Sequence, residues 1–451
     1  MTHLCVHEWG RIGVGCEGGF TRTQANALLG AARAHRLGGD DGTAILTDHH
    51  GFLRARQVVG VIAAAGCSLE ILPKVDPDHP DEDKPTVRGR LVQMLDIALG
   101  LDLDHGSETT MARQSDTLLD ILIRVFADRL IAEARRGLPR AYLAMEENLP
   151  ALRGRLNVQA QFTRNAVRPD RLACRYDLLS SDTALMQVMK ATVVFLICHA
   201  RAPETRRRLD ELRFVMADIR DVPLSALPWN SIHIDRTNRH WAALLKLARL
   251  FLRREWQATH HDMRHDGGIT LLFAMNDLFE AYVAALLRRA LTAPGIEVIA
   301  QGGLRNCLGD WLPNGECQGT TFQTRPDIQI RQGKTVLAII DTKWKALDLN
   351  PLDRKRGMAQ SDVYQMMAYA RLYQCNRLML LYPASSGSKG RIEHRFGIDR
   401  GAELLALGQV DITGNTRAVQ DALGQMVEEL WAQPQDRDWP RDLNAGSLGL
   451  F

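Results

Sequence analysis

The apolar run Val336-Leu337-Ala338-Ile339-Ile340 leads directly into Asp341-Thr342-Lys343. Five aliphatic residues bounded by polar ones read as a buried strand. Residues i and i+2 of a strand share a face, so Asp341 and Lys343 project together while Thr342 faces away. Upstream, Asp327-Ile328-Gln329-Ile330 reads as a second strand, and Arg331-Gln332-Gly333-Lys334 as a hairpin turn with a glycine where positive φ is needed. That hairpin brings Asp327 beside Asp341.

Two adjacent carboxylates form a hard-oxygen site suited to Mg²⁺ or Mn²⁺. An ion held there polarises a phosphodiester and helps to generate the attacking hydroxide. Lys343, a compact ammonium, is suited to orient the water or to offset charge on the phosphate. The residue types and their spacing are those of a metal-dependent nuclease centre. A third carboxylate is expected from a preceding helix: Leu271 to Val283 has helical spacing, and Glu280 is its candidate ligand. Gln360 to Tyr373 reads as a helix after the strand, with Gln365 and Tyr369 four apart and so on one face. Each residue also has a plainer reading. Asp341 and Lys343 would make an ordinary salt bridge, Tyr369 a packing residue and Glu280 a solvated helix position.

The ordered set Glu280, Pro326-Asp327, Asp341-x-Lys343 and Gln365-x-x-x-Tyr369 resembles the PD…(D/E)xK nuclease superfamily in its branch with a Q-x-x-x-Y helix. More narrowly, the chain resembles the McrC family, nuclease subunits of the McrBC modification-dependent restriction system. Val6-His7-Glu8-Trp9-Gly10, Leu69-Glu70-Ile71-Leu72-Pro73-Lys74, Leu152-Arg153-Gly154-Arg155, Cys174-x-Tyr176-Asp177 and Asp182-Thr183 extend that resemblance over most of the chain. It implies a Mg²⁺-dependent endodeoxyribonuclease with Glu280, Asp327 and Asp341 as metal ligands, Lys343 as the catalytic lysine and Gln365 and Tyr369 as further site residues. It also implies a McrB-like AAA+ GTPase ring as partner and double-stranded DNA with modified cytosine as substrate. Two other readings stay open: a stand-alone RecB-like DNA repair nuclease, and a non-catalytic activator or scaffold of the GTPase ring.

The expected fold is mixed α/β. A PD-(D/E)xK restriction-endonuclease-like domain over 266–451, with a central mixed sheet flanked by helices, follows a β-rich partner-docking region over 1–85 and a mainly helical middle over 86–265. With 451 residues the chain exceeds what one core usually spans. The strand patterns Gln57 to Ala63 and Leu69 to Leu72, and a helix from Thr23 to Arg36, fall in the first part. An acidic, proline-punctuated loop from Asp76 to Pro85 closes it. In the middle, Asp116 to Arg136 is the clearest helix, capped by Ser115 or Asp116 and stopped by Gly137-Leu138-Pro139. Arg253 to Gly268 reads as the junction before the third part, and the tail after Gln433 as a loosely held surface segment.

The net charge of +3 says little about nucleic acid. Its distribution says more: residues 321–360 hold eight Lys or Arg against four Asp or Glu, and Arg354-Lys355-Arg356 suits phosphate contacts. Eight cysteines without a CxxC pair argue against a zinc ribbon and point to a reducing cytoplasm. No signal peptide and no membrane span are read. His260, His261 and His265 lack a His-Glu-x-x-His pattern and read as a polar linker, Asp48-His49-His50 reads as a turn, and the glycines from Gly10 to Gly15 make no dinucleotide fingerprint. No phosphate-binding G-x-x-x-x-G-K-[ST] motif occurs, so this chain is expected to bind no nucleotide of its own.

Overall fold

A computed structural model describes residues 2–74, 83–101, 117–168, 170–252, 269–347, 353–384, 390–398 and 401–431. The Asp76–Glu82 stretch of the acidic loop, the expected Ser115 and Asp116 caps, the junction 253–268 with its histidines and the tail from 432 lie outside them. The chain forms two compact units, Met1–Gln114 with His261–Phe451, and Ser115–His260.

In the first unit the N-terminal elements are β1 (Thr2–His7), β2 (Arg11–Gly13), α1 (Arg22–Ala34), β3 (Leu46–Asp48), β4 (Phe52–Ala55), β5 (Val58–Ala64), β6 (Cys67–Leu72) and α2 (Lys84–Leu99). Helix α1 starts at Thr21, which exchanges capping-box bonds with Gln24. Its buried face, Ala25, Leu28 and Ala32, shares a core with Ile62, Leu69 and Ile71 of the sheet. Asp48-His49-His50 forms the turn into β4, as expected, with Asp48 accepting from the His50 N–H at 2.9 Å.

The second unit holds α3 (Leu118–Arg136), β7 (Ala141–Leu149), β8 (Arg155–Leu156), α4 (Val158–Thr163), β9 (Leu172–Ser180), α5 (Ala184–Ile197), α6 (Pro203–Val215) and α7 (Ala242–Leu252). The α3 cap is Thr117, whose side chain accepts from the Asp120 N–H, and Gly137 ends the helix. Helices dominate, but β7, β9 and β8 form an antiparallel sheet. Ala141 to Leu149 is rich in Ala, Leu, Met and Glu, good helix formers, and becomes a strand because residue-by-residue pairing with Leu172 to Ser180 overrides that preference. Here two segments singled out in the sequence meet: the Arg153 guanidinium lies 4.0 Å from the centre of the Tyr176 ring.

The chain returns to the first unit with β10 (Leu271–Ala274), α8 (Met275–Ala290), β11 (Ile296–Ala300), β12 (Arg305–Trp311), β13 (Cys317–Thr324), β14 (Ile328–Gln332), β15 (Thr335–Thr342), α9 (Gln360–Tyr373), β16 (Arg377–Pro383), β17 (Arg391–Gly397), β18 (Leu404–Val410) and α10 (Thr416–Trp431). Leu271 to Ala274 is a strand, not the first turn of a helix. It pairs antiparallel with β5 and completes the sheet ordered β1-β6-β5-β10. Gly60 permits the approach: its φ is +126°, and a Cβ there would stand 2.0 Å from the Leu271 carbonyl oxygen.

The six-stranded sheet runs β11-β14-β15-β16-β18-β17, parallel over β15-β16-β18 and antiparallel elsewhere. It is the mixed sheet flanked by helices that the sequence led us to expect. Helix α9 connects β15 to β16 and buries Met366, Tyr369, Ala370 and Tyr373 against Ile339, Leu378 and Leu380. Helix α8 lies against α2, α10 and β11. Gly333, at φ +59°, turns the β14–β15 hairpin, in which Ile328 faces Ile340. That register sets Asp327 level with Asp341 at one end of the sheet.

Candidate active site

Burial and hydrogen bonding distinguish this sheet end from the rest of the surface. Asp341 is fully buried at the end of β15. Its Oδ2 lies 2.6 Å from Lys343 Nζ, and its Oδ1 accepts from Gln365 Nε2 at 3.3 Å. Lys343 points the same way because it is two residues further along the strand. The Gln365 Nε2 is 2.8 Å from the Tyr369 hydroxyl, and that hydroxyl donates to the Arg325 carbonyl at 3.3 Å. Gln365 and Tyr369 share the α9 face that meets β15, as their four-residue spacing requires.

Asp327 Oδ2 accepts from both the backbone N–H (2.8 Å) and the hydroxyl (3.0 Å) of Thr342. Thr342 thus faces away from Lys343 while bonding the neighbouring strand. Glu280 is buried on α8. Its Oε2 accepts from Gln301 Nε2 at 3.0 Å, and Gln301 is bonded in turn by the Arg325 guanidinium. A continuous chain of polar contacts therefore runs Glu280, Gln301, Arg325, Tyr369, Gln365, Asp341, Lys343, and all six expected residues lie along it or, for Asp327, beside it. Among the described residues no group of three His, Cys, Asp or Glu side chains is arranged to hold a metal ion.

Burial pushes Asp341 up to about 6, helped by the charge of Asp327. Burial pushes Glu280 up to about 7, with Asp327 again adding repulsion. Asp327 is raised for the same first reason. Burial opposes the charge of Lys343, but Asp341 outweighs it and holds the ammonium above the usual lysine range. Burial also drives the Tyr369 hydroxyl up to about 12, so it stays a donor. The acids feel one another through a poorly screened interior, and a cation would relieve all of them. Oxygen-only donors fit a hard divalent ion, and Glu280 Oε1, buried with no hydrogen-bond partner among the described residues, is an unused donor of that kind.

Sequence reasoning missed Asp362, Lys345 and Gln301. Asp362, buried in the first turn of α9, lies 2.8 Å from Lys345 Nζ and 3.9 Å from Lys343 Nζ. Its position three residues before Gln365 was the available signal. Gln301 carries none, since the β11–β14 pairing brings it in. Arg354 and Lys355 are exposed on the turn before α9.

Similarity to known proteins agrees with this architecture. A chain of the refined half-complex of a tetradecameric assembly of Thermococcus gammatolerans McrB AAA+ hexamers with bound McrC superposes with a TM-score of 0.73 at 20% identity, covering 95% of this chain and 100% of that one. In the cryo-EM structure of the Thermococcus gammatolerans McrBC complex the TM-score is 0.54 at 21% identity, with 65% and 89% covered. These likenesses define the class, a mixed α/β fold. The Escherichia coli K12 protein described as the type IV methyl-directed restriction enzyme EcoKMcrBC is 22% identical over 347 residues, 72% of this chain and 94% of its own length. The family model for the McrBC 5-methylcytosine restriction system component matches residues 53–383, and the chain belongs to that family.

Proposed function

We propose that this chain is the Mg²⁺-dependent DNA endonuclease subunit of a GTP-dependent, modified-cytosine-specific restriction complex, acting in the cytoplasm on a McrB-like AAA+ GTPase ring that it stimulates. The observation that carries the reading is the sheet-end group of acids: the charge of Asp327 adds to the burial that raises both Glu280 and Asp341, beside the half-buried ammonium of Lys343. Membership of the McrBC family and likeness to complexes of McrB hexamers with McrC support the partner and the substrate class. Among the described residues no helix is long and apolar enough to cross a membrane.

Glu280, Asp327 and Asp341 would hold the ion, with Mn²⁺ as a substitute. When bound, it supplies Lewis-acid polarisation of the phosphodiester and lowers the pKa of the attacking water. Lys343 keeps its proton and sets a fixed positive charge where the phosphate gathers negative charge. Gln365 limits Lys343 and Asp341 to one arrangement, since its amide lies within reach of both. Thr342 holds Asp327 by two donors, so that this carboxylate need not be ordered when the ion arrives. Hydrolysis proceeds by direct attack of water, with no covalent enzyme intermediate.

That no three-ligand group is arranged among the described residues favours a second reading, a non-catalytic activator of the ring. Cleavage of 5-methylcytosine DNA with partner, GTP and Mg²⁺ separates the two. Under our reading Lys343→Ala and Asp341→Ala stop cutting yet still stimulate GTP hydrolysis. Cutting that persists in both variants refutes the assignment, and cutting without any GTPase points to a stand-alone repair nuclease.

A further inference from the structure

The segment Val6-His7-Glu8-Trp9-Gly10 has no part in the chemistry above, yet its structure is unusual. After β1 the chain makes a tight turn in which the Gly10 N–H donates to the His7 carbonyl at 2.9 Å. Trp9, a bulky residue, sits at φ +64°, in the left-handed region that side chains of its kind seldom enter. Gly10 has no alternative, because a Cβ there would stand 2.4 Å from the Val6 side chain and 2.8 Å from the His7 carbonyl oxygen. The Trp9 ring is held by Arg54 and Arg56, whose guanidinium carbons lie 5.8 and 5.3 Å from its centre.

The turn drives Glu8 inward, where it is 3% exposed. Its Oε1 accepts from the Lys74 N–H and from the indole N–H of Trp344, each at 3.0 Å. Its Oε2 is buried without a hydrogen-bond partner among the described residues. Burial without a cation raises its pKa to about 7. A buried carboxyl so poorly compensated costs stability. Backbone strain together with an under-satisfied acid at one short turn is an arrangement found where geometry serves function.

Its partner is Trp344, the residue after Lys343. The Trp344 ring lies 5.4 Å, centre to centre, from that of Phe279, the neighbour of Glu280 on α8. The Trp344 carbonyl accepts from Gln57 Nε2 at 2.9 Å, and the same amide reaches Asn276 Oδ1 at 3.1 Å, while the Gln57 carbonyl accepts from the Met275 N–H at 3.3 Å. Two N-terminal side chains thus hold both polar ends of Trp344, and one of them also holds the start of α8.

We propose that Glu8 is a positioning residue for the cutting site: through Trp344 it fixes the strand end that carries Lys343 and, by the Trp344–Phe279 contact, the helix face that carries Glu280. The N-terminal sheet therefore sets the geometry in which acids and ammonium meet. The inference rests on the nuclease reading, because it needs a centre whose geometry matters.

The test uses the full chain with its GTPase partner and methylated DNA. Trp344→Phe keeps the ring and removes the donor. We expect the maximal cutting rate to fall about tenfold, while melting temperature and GTPase stimulation stay close to those of the unsubstituted chain. Glu8→Ala should do the same, and Glu8→Gln, which keeps an acceptor oxygen, should recover most of the loss. A second readout needs no turnover: with ¹⁵N-labelled tryptophan, the Trp344 indole resonance, identified by its loss in Trp344→Phe, should move on addition of Mg²⁺ and stay still in Asp341→Ala. Unchanged cutting by Trp344→Phe and Glu8→Ala overturns the inference. So does a parallel fall in cutting, melting temperature and GTPase stimulation, which marks a structural role only. If the unsubstituted chain neither cuts nor binds Mg²⁺, the nuclease reading fails and the inference falls with it.

Discussion

Two buried acids in the same unit have opposite surroundings. Glu70, on β6, is fully enclosed, and Arg88 from α2 meets both of its oxygens, at 2.8 and 2.6 Å, with His3 3.6 Å away. Asp341, equally enclosed, has among the described residues Lys343 alone in direct ion contact and shares its field with Asp327 and Asp362. Glu70 is matched in charge and in geometry by a two-pronged guanidinium, so it joins sheet to helix and asks nothing of a ligand. The acids around Asp341 add repulsion to the cost of burial, and under the nuclease reading that imbalance is what a bound cation would relieve.

The contrast can be broken first at Arg88. Arg88→Ala strands a buried carboxylate and should lower stability by about 3–5 kcal/mol in denaturant titration, with cutting failing only because the chain unfolds. Substituting both partners with apolar residues of similar size should recover most of that loss. Asp341→Asn should behave in the opposite way. Cutting falls about 10²- to 10³-fold, while the metal-free chain melts higher at pH 8 because one unwanted charge is gone; a lower melting temperature would place Asp341 with Glu70.

The pH dependence sharpens the same distinction. Asp341 and Glu280 are raised to about 6 and about 7, so the folded chain binds more protons than the unfolded one above the ordinary carboxyl range. Their contribution to stability is complete below the unfolded values near 4 and is lost as pH rises through about 6 to 7. Melting of the metal-free chain should decline across that window, and Mg²⁺ should reverse the decline. A flat profile would show that neither burial nor repulsion raises these acids. The smallest effect is expected from Tyr369→Phe, which removes one donor to the Arg325 carbonyl. A loss of two- to about tenfold in cutting is the scale of one hydrogen bond, and no loss at all would make Tyr369 a packing residue.

Legibility in the sequence followed distance along the chain. The Asp327–Asp341 hairpin, the Asp341–Lys343 face and the Gln365–Tyr369 pair could be read because a strand repeats every two residues and a helix brings positions four apart together. Asp362 could have been read by the same rule. Leu271 to Phe273 was misread as helix because its apolar run suits either period, and only the open edge of β5 decides between them. Ala141 to Leu149 was missed because its residues favour helix until Leu172 to Ser180 lies alongside.

The sequence by itself determined which acids, lysine and amide stand at this sheet end, their order and the local elements that present them, since those depend on backbone period and side-chain chemistry within a few residues. Only the tertiary structure decided that Gln301 and Arg325 tie Glu280 to Tyr369, and that Glu8 bonds a tryptophan 336 residues away. Such contacts carry no periodic trace. They form where burial leaves polar groups without water and the nearest available donor belongs to a remote segment.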